Sequence, residues 1–210
     1  MPDGLRISTR PGRGGGNCLL FNYPVLVGSD PSGEGIIADI EPGGGGPDRL
    51  DYNAGMPTST PATRALDDLG IPYRLFLHSS TVRSLEQAAH ERGLTPDQIV
   101  RSLVFRVEKG AYVLVLVAGP AQVAWPKLRR HLGVSRLTTA DKGEVIQSTG
   151  YAPGTVSPLG LTQPIPILAD RGLMAQEVIS VGAGIPNAGI ILKREDLLSI
   201  VQPVIGDFCQ

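Results

Sequence analysis

Hydrophobic and polar positions follow clear periods only after Met56. Tyr73, Leu75 and Leu77 recur at every second position, the pattern of a half-buried strand. Two apolar runs, Ser102 to Val107 and Ala111 to Val117, flank Glu108-Lys109-Gly110 and predict a hairpin. Ile165 to Ala169, Val178 to Val181 and Ile190 to Lys193 predict three more strands, the last entered through the Gly- and Asn-containing turn at 184–189. Helix signals are short and well punctuated. Thr60-Pro61 opens a helix that Gly70 ends, Ser84 and Gln87 form a capping box for a helix running to Gly93, and Thr95-Pro96 caps a further turn. Helices are also predicted over Pro126 to Leu132, closed by Gly133, over Asp141 to Gln147, and over Glu195 to Val201. Short helices interspersed with hairpin-linked strands predict an α/β domain built on a mixed, largely antiparallel sheet.

Residues 1–55 break with this pattern. They hold about half of the 27 Gly, with six Pro and one strand-like run, Cys18 to Val27. Such a segment loses much backbone entropy on folding and has little apolar surface to offset it. The expectation is a disordered extension, or a start assigned too far upstream with Met56 as the true first residue. Gly14-Gly15-Gly16 is not a phosphate-binding Walker loop, because no Gly-Lys-Ser/Thr follows. Residues 56–210 then form one domain.

The 210 residues are 41% hydrophobic and 19% charged with net charge −1, ordinary globular material that points to no partner by charge. Two cysteines near opposite ends have neither metal nor disulfide spacing. No run reaches the roughly 18 apolar residues of a membrane span, and no signal-peptide core is present. These features predict a cytoplasmic protein.

Candidate chemistry centres on the segment Ser148 to Gly160, in which three Gly and two Pro fix a backbone path. Its amides could form an oxyanion hole or grip a nucleotide, or the segment could be a plain structural turn. Asp170 ends an apolar run nearby in sequence and could orient a water or a ribose hydroxyl, or simply initiate a turn before Arg171-Gly172. Arg101 opens a strand next to Ser102 and could fork onto a phosphate or carboxylate, or sit exposed at a strand entry. Lys127, Arg129, Arg130 and His131, with Arg136 nearby, form the basic cluster of the chain. It could touch RNA phosphates, or be the solvated face of a helix whose apolar residues are Trp125, Leu128 and Leu132. His78 follows the first strand, where a substrate could pass, although a surface histidine is the simpler reading. No His shares metal-ligand spacing with another ligand type.

Several blocks occur in order: Arg101 to Val107, Lys127 to Gly133, Ala140-Asp141, Ser148 to Gly160, Ile167 to Asp170, Val181 to Gly184 and Asp196 to Leu198. This series resembles the YbaK/ProX family, aminoacyl-tRNA deacylases related to the editing domain of bacterial prolyl-tRNA synthetases. The similarity covers nearly all of 58–202, and the string Thr149-Gly-Tyr151-x-x-Gly154-x-x-Ser157-Pro158-Leu-Gly160 carries most of its specificity. The resemblance implies a compact α/β domain that hydrolyses the ester of a mischarged tRNA without metal or other cofactor. Its partners would be the 3′ end of an aminoacyl-tRNA and an aminoacyl-tRNA synthetase. Carried over by position, Arg101, Gly150 and Asp170 would be catalytic. Ser102, Thr149, Tyr151, Gly154, Ser157, Pro158, Gly160 and His78 would contact substrate. Arg101 stands where most members have Lys, and a planar, bidentate guanidinium is not an equivalent of an ammonium. The alternative is a non-catalytic module of the same fold that binds tRNA ends or a synthetase.

Overall fold

The computed structural model describes residues 59–210; the strand expected at Cys18 to Val27 and the readings placed on 1–56 lie outside the described residues. Helix α1 (Pro61–Asp67) precedes β1 (Arg74–Leu77) and α2 (Leu85–Arg92). A 3-10 turn at Pro96–Gln98 leads into the hairpin β2 (Val100–Glu108) and β3 (Ala111–Ala118). There follow α3 (Trp125–Leu132), β4 (Thr138–Thr139), α4 (Lys142–Thr149), β5 (Ile167–Asp170), a 3-10 turn at Arg171–Ala175, β6 (Val178–Gly182), β7 (Ala188–Lys193), α5 (Arg194–Val201) and β8 (Val204–Gly206).

The caps behave largely as the sequence predicts. The Thr60 and Asp141 hydroxyl and carboxylate accept from the Thr63 and Glu144 amides at 3.1 and 2.9 Å, and Glu144 returns a bond to the Asp141 amide at 2.9 Å. Ser84 caps Gln87 at 3.1 Å, but the Gln87 carbonyl reaches past it to the Arg83 amide, so the expected box closes one residue early. The β2–β3 hairpin turns at Lys109-Gly110, with Gly110 at φ 79°, a left-handed conformation that suits glycine.

The strands form two sheets rather than one. The first has order β1-β7-β6 and is antiparallel. The second has order β4-β2-β3-β5-β8; its first two pairings are antiparallel and its last two parallel. A single parallel bridge, Ile99 to Ser180, ties the two sheets. Alternation along β2 and β3 gives the second sheet two buried faces. Val100, Val104, Leu114 and Leu116 pack with β6, β7, α1 and α5 through Ile179, Ile190, Leu66 and Leu197. Phe105, Val113, Val115 and Val117 pack against α3 and the C-terminal segment through Leu128, Leu132 and Phe208. The short strands β4 and β8 were not expected; at two and three residues they carry no readable period. Ser148 and Thr149, expected to open the loop, form the last turn of α4, which Gly150 ends at φ 80°.

Candidate functional site at an unpaired strand edge

Arg101 and Ser102 sit near the start of β2, where the two sheets separate. One edge of β2 pairs with β3 throughout. Along the other, β2 is bridged to β6 only at Ile99, and the next strand, β4, joins at Phe105 and Arg106. Between these points no strand pairs with that edge among the described residues. Val104 gives its carbonyl to the Ala140 amide on this side, at 3.0 Å. Backbone groups of an antiparallel strand alternate in direction, so Ser102, two residues earlier, also turns its N–H and C=O toward the open edge.

The loop 150–160 is seated on the end of β6. A Cβ on Gly182 would lie 2.4 Å from the Val156 carbonyl oxygen, and the Gly184 amide donates to the Thr155 carbonyl at 3.0 Å. Gly182 follows Ser180 by two residues as Arg101 follows Ile99, and the strands run parallel from that bridge. The loop thus reaches the end of the strand that meets the chain just before β2.

Two buried side-chain atoms on neighbouring residues of β2, turned to opposite faces by alternation, have no hydrogen-bond partner: Arg101 Nε and Ser102 Oγ. Among the described residues only Arg194 Nε shares that state. Buried polar groups are normally paired, and an orphan of this kind is accounted for by a missing ligand or water. One arm of the Arg101 guanidinium donates to the Ala121 carbonyl, which holds the side chain against the segment leading into α3.

Most of the other expected site residues do structural work. The Gly150 amide donates to the Ile146 carbonyl at 2.8 Å as a helix cap, so it is spent as an oxyanion donor. Thr149 Oγ1 bonds the Val145 carbonyl at 2.7 Å and accepts from the Tyr151 amide at 3.1 Å. The buried Tyr151 hydroxyl donates to the Leu159 carbonyl at 2.7 Å, and burial pushes its pKa up to about 12. Ser157 and Pro158 are buried, Ser157 Oγ accepting from the Leu159 amide at 3.3 Å. Gly160 allows a close pass, because a Cβ there would meet the Pro61 carbonyl oxygen at 2.4 Å. Gly154, at φ 85°, is exposed with open space around it and remains a position where a ligand could approach the loop backbone.

Asp170 and His78 are both engaged within the fold. By register, Arg101, Val117 and Asp170 lie in one row across three strands, which sets Asp170 two strand spacings away, about 10 Å. Its carboxylate is also fully engaged: Oδ1 accepts from the Gly172 amide at 2.8 Å, and Oδ2 from the Phe208 and Cys209 amides at 2.8 and 2.9 Å. It anchors the C-terminal segment. His78 is not on the surface. Its ring is buried; Arg92 Nε donates to Nε2 at 3.1 Å, which leaves the proton on Nδ1, 2.5 Å from a Glu91 carboxylate oxygen. That bond holds the Glu91 carboxyl below its usual range, with Gln87 adding to the effect. Arg92 continues to Ser180 Oγ at 2.8 Å, so the histidine belongs to a buried strut between α2 and β6.

An open strand edge presenting an amide beside a guanidinium is the kind of site that can bind and polarise an acyl group. Comparison with known proteins agrees. Residues 79–200 match the model of the aminoacyl-tRNA editing domain. The multifunctional Ser/Thr-tRNA deacylase ProXp-y of Escherichia coli strain K12 is 29% identical over 147 residues, 68% of this chain and 87% of that one. The proline–tRNA ligase of Kosmotoga olearia is 35% identical over 135 residues, which are 61% of this chain. The chain spans only 23% of that ligase's length. A solved structure proposed as a trans-editing enzyme for prolyl tRNA synthetase matches with a TM-score of 0.66 and 30% identity, covering 72% of this chain and 98% of that one. The chain belongs to the aminoacyl-tRNA editing domain family. No helix among the described residues is long and apolar enough to cross a membrane.

Proposed function

We propose that the protein removes a wrong amino acid from a mischarged tRNA in trans, at the open edge of β2. The observation that carries this placement is the pair of buried, unpartnered atoms on adjacent residues at this edge, Arg101 Nε and Ser102 Oγ. In this reading the ester carbonyl lies against the edge and the Ser102 amide donates to its oxygen as it becomes an oxyanion. Arg101 holds a phosphate of the terminal nucleotide or helps polarise the ester carbonyl. Water adds to the carbonyl carbon, the bond to the ribose oxygen breaks, and that oxygen leaves with a proton to give free amino acid and tRNA. Asp170 is engaged elsewhere, so a substrate hydroxyl is the group left to orient the water. Selection by size in a pocket is worth only about 1–3 kcal/mol per methylene, the regime in which a second sieve is useful.

The test is a set of tRNAs charged with Cys, Ala or Ser. Purified protein should release amino acid from at least one of them, and Arg101→Ala should slow that release at least tenfold. If all three charged tRNAs survive, the deacylase reading fails for these substrates. A second reading, a module that binds tRNA ends without hydrolysis, draws on Arg101 in the place of the family's usual Lys. Hydrolysis gained on Arg101→Lys with unchanged tRNA affinity would favour it.

A further inference from the structure

Helix α3 presents three sides. Leu128 and Leu132 enter the core that contains Phe105 and Phe208. Lys127 and His131 face the C-terminal segment: Lys127 Nζ bonds the Asp207 carboxylate at 2.8 Å, and the His131 ring meets Phe208 edge-on at 5.0 Å. Trp125 and Arg129, four residues apart and so on one flank, lie toward β2, where the indole meets Phe105 at 5.2 Å. Trp125 is still 36% exposed. Arg130 is exposed on the outer side, and Arg136 is exposed just beyond the helix between Val134 and Leu137, both packed on the same core.

Charge on this side of the sheet is one-sided. Arg101 shares the face with Phe105 by alternation, as does Asp170 by register. The acids there are occupied, Asp207 by Lys127 and Asp170 by three amides. The Arg106–Glu144 pair lies across the sheet on the α4 side. Among the described residues, Arg129, Arg130 and Arg136 form no ion pair, so three uncompensated cations and an exposed indole lie on or just beyond the helix that packs on Arg101's face of the sheet. Arg101 stands four residues from Phe105 along β2, a span of about 13 Å.

We infer that this flank of α3, with Trp125, Arg129, Arg130 and Arg136, is the surface that grips the sugar-phosphate backbone of the tRNA acceptor end while the ester sits at Arg101. The inference rests on the deacylase reading for where the ester lies, but not for its test. Guanidinium groups with no acidic partner displace the counterions condensed on nucleic-acid phosphates, and an indole offers a stacking face to a nucleotide.

The test is the affinity of uncharged tRNA against salt concentration, for the parent and for the folded triple variant Arg129→Gln/Arg130→Gln/Arg136→Gln, beside the triple Lys variant. Each phosphate contact contributes about 0.7 to 0.9 to the slope of log affinity against log salt. The Gln variant should bind at least tenfold more weakly at about 0.1 M salt, with a slope smaller by about 2 to 3, and the Lys variant should recover most of both. Hydrolysis of a short aminoacylated CCA trinucleotide should match the parent. Unchanged tRNA affinity and slope in the Gln variant would overturn the inference, as would an equal loss on the trinucleotide. A parent that binds tRNA through these arginines yet deacylates nothing would leave the surface standing and remove the catalytic reading instead.

Discussion

Gly182 and Val156 meet more closely than a residue with a side chain allows, a Cβ on Gly182 falling 2.4 Å from the Val156 carbonyl oxygen. This contact sets how near the loop comes to β6, and in the proposed reading the loop in turn walls the site at Arg101 and Ser102. Gly182 needs no left-handed backbone, so Gly182→Ala acts through the contact alone. Overpacking of this kind costs about 1–3 kcal/mol. The expected result is a lower melting temperature together with a single-turnover deacylation rate at least tenfold down. A destabilised variant with the parental rate would show that the loop does not wall the site.

The Ser102 amide is assigned as the oxyanion donor because it points to the open edge and not into the β2–β3 ladder. A proline fits where the missing N–H faces away from the ladder. Ser102→Pro should therefore leave the far-ultraviolet circular dichroism near the parent's and reduce the rate by about 100-fold, the typical cost of one oxyanion donor. Ser102→Ala keeps the amide and should cost much less. Equal losses in the two variants would place the chemistry on the hydroxyl.

Much of this geometry could be read from the chain. Both strands of the β2–β3 hairpin, the C-terminal end of α3 and the start of α4 follow from period, caps and terminal glycines, because those signals are local. The pairing of β3 with β5 and of β5 with β8 is not local: it brings together residues more than 30 apart, and a four-residue strand such as Ile167–Asp170 gives no hint of its neighbours. That is why Asp170 looked like a site acid. An aspartate at a strand end before Arg171-Gly172 reads the same whether its carboxylate meets substrate or the amides of Phe208 and Cys209. The open edge of β2 was hidden for a related reason, since an unpaired strand has the same sequence period as a paired one.

Asp170 accordingly yields a stability prediction instead of a catalytic one. Asp170→Ala strands three amides that now share one charged acceptor, Gly172, Phe208 and Cys209. Bonds to charged groups are worth about 1.5–3 kcal/mol each and the lost acceptors overlap in effect, so a destabilisation of about 3 kcal/mol or more is expected by chemical denaturation. Hydrogen exchange should quicken selectively at 207–210. A variant with parental stability and a lost rate would restore the acid to the chemistry.

Stability should fall on the alkaline side for two identifiable reasons. Burial, helped by the Asp170 carboxylate, pushes the Cys209 thiol up from 9.0 to about 12, and burial pushes the Tyr151 hydroxyl up from 10.0 to about 12. Each group is neutral while protonated, and each binds its proton more tightly when folded. In the window between the unfolded and folded values the native state holds more protons than the unfolded one, so stability drops as pH rises. The contribution of both groups is complete below about pH 9, and is lost progressively up to about pH 12. Urea unfolding under reducing conditions should show the decline of the parent beginning near the thiol's unfolded value. Cys209→Ala should delay that onset by about one pH unit, to where the tyrosine begins to titrate. Tyr151→Phe should be less stable than the parent at neutral pH by about 1 kcal/mol, through the lost bond to Leu159, yet lose less on going to high pH. If the parent and both variants decline in parallel, neither group is buried in solution as the structure has it.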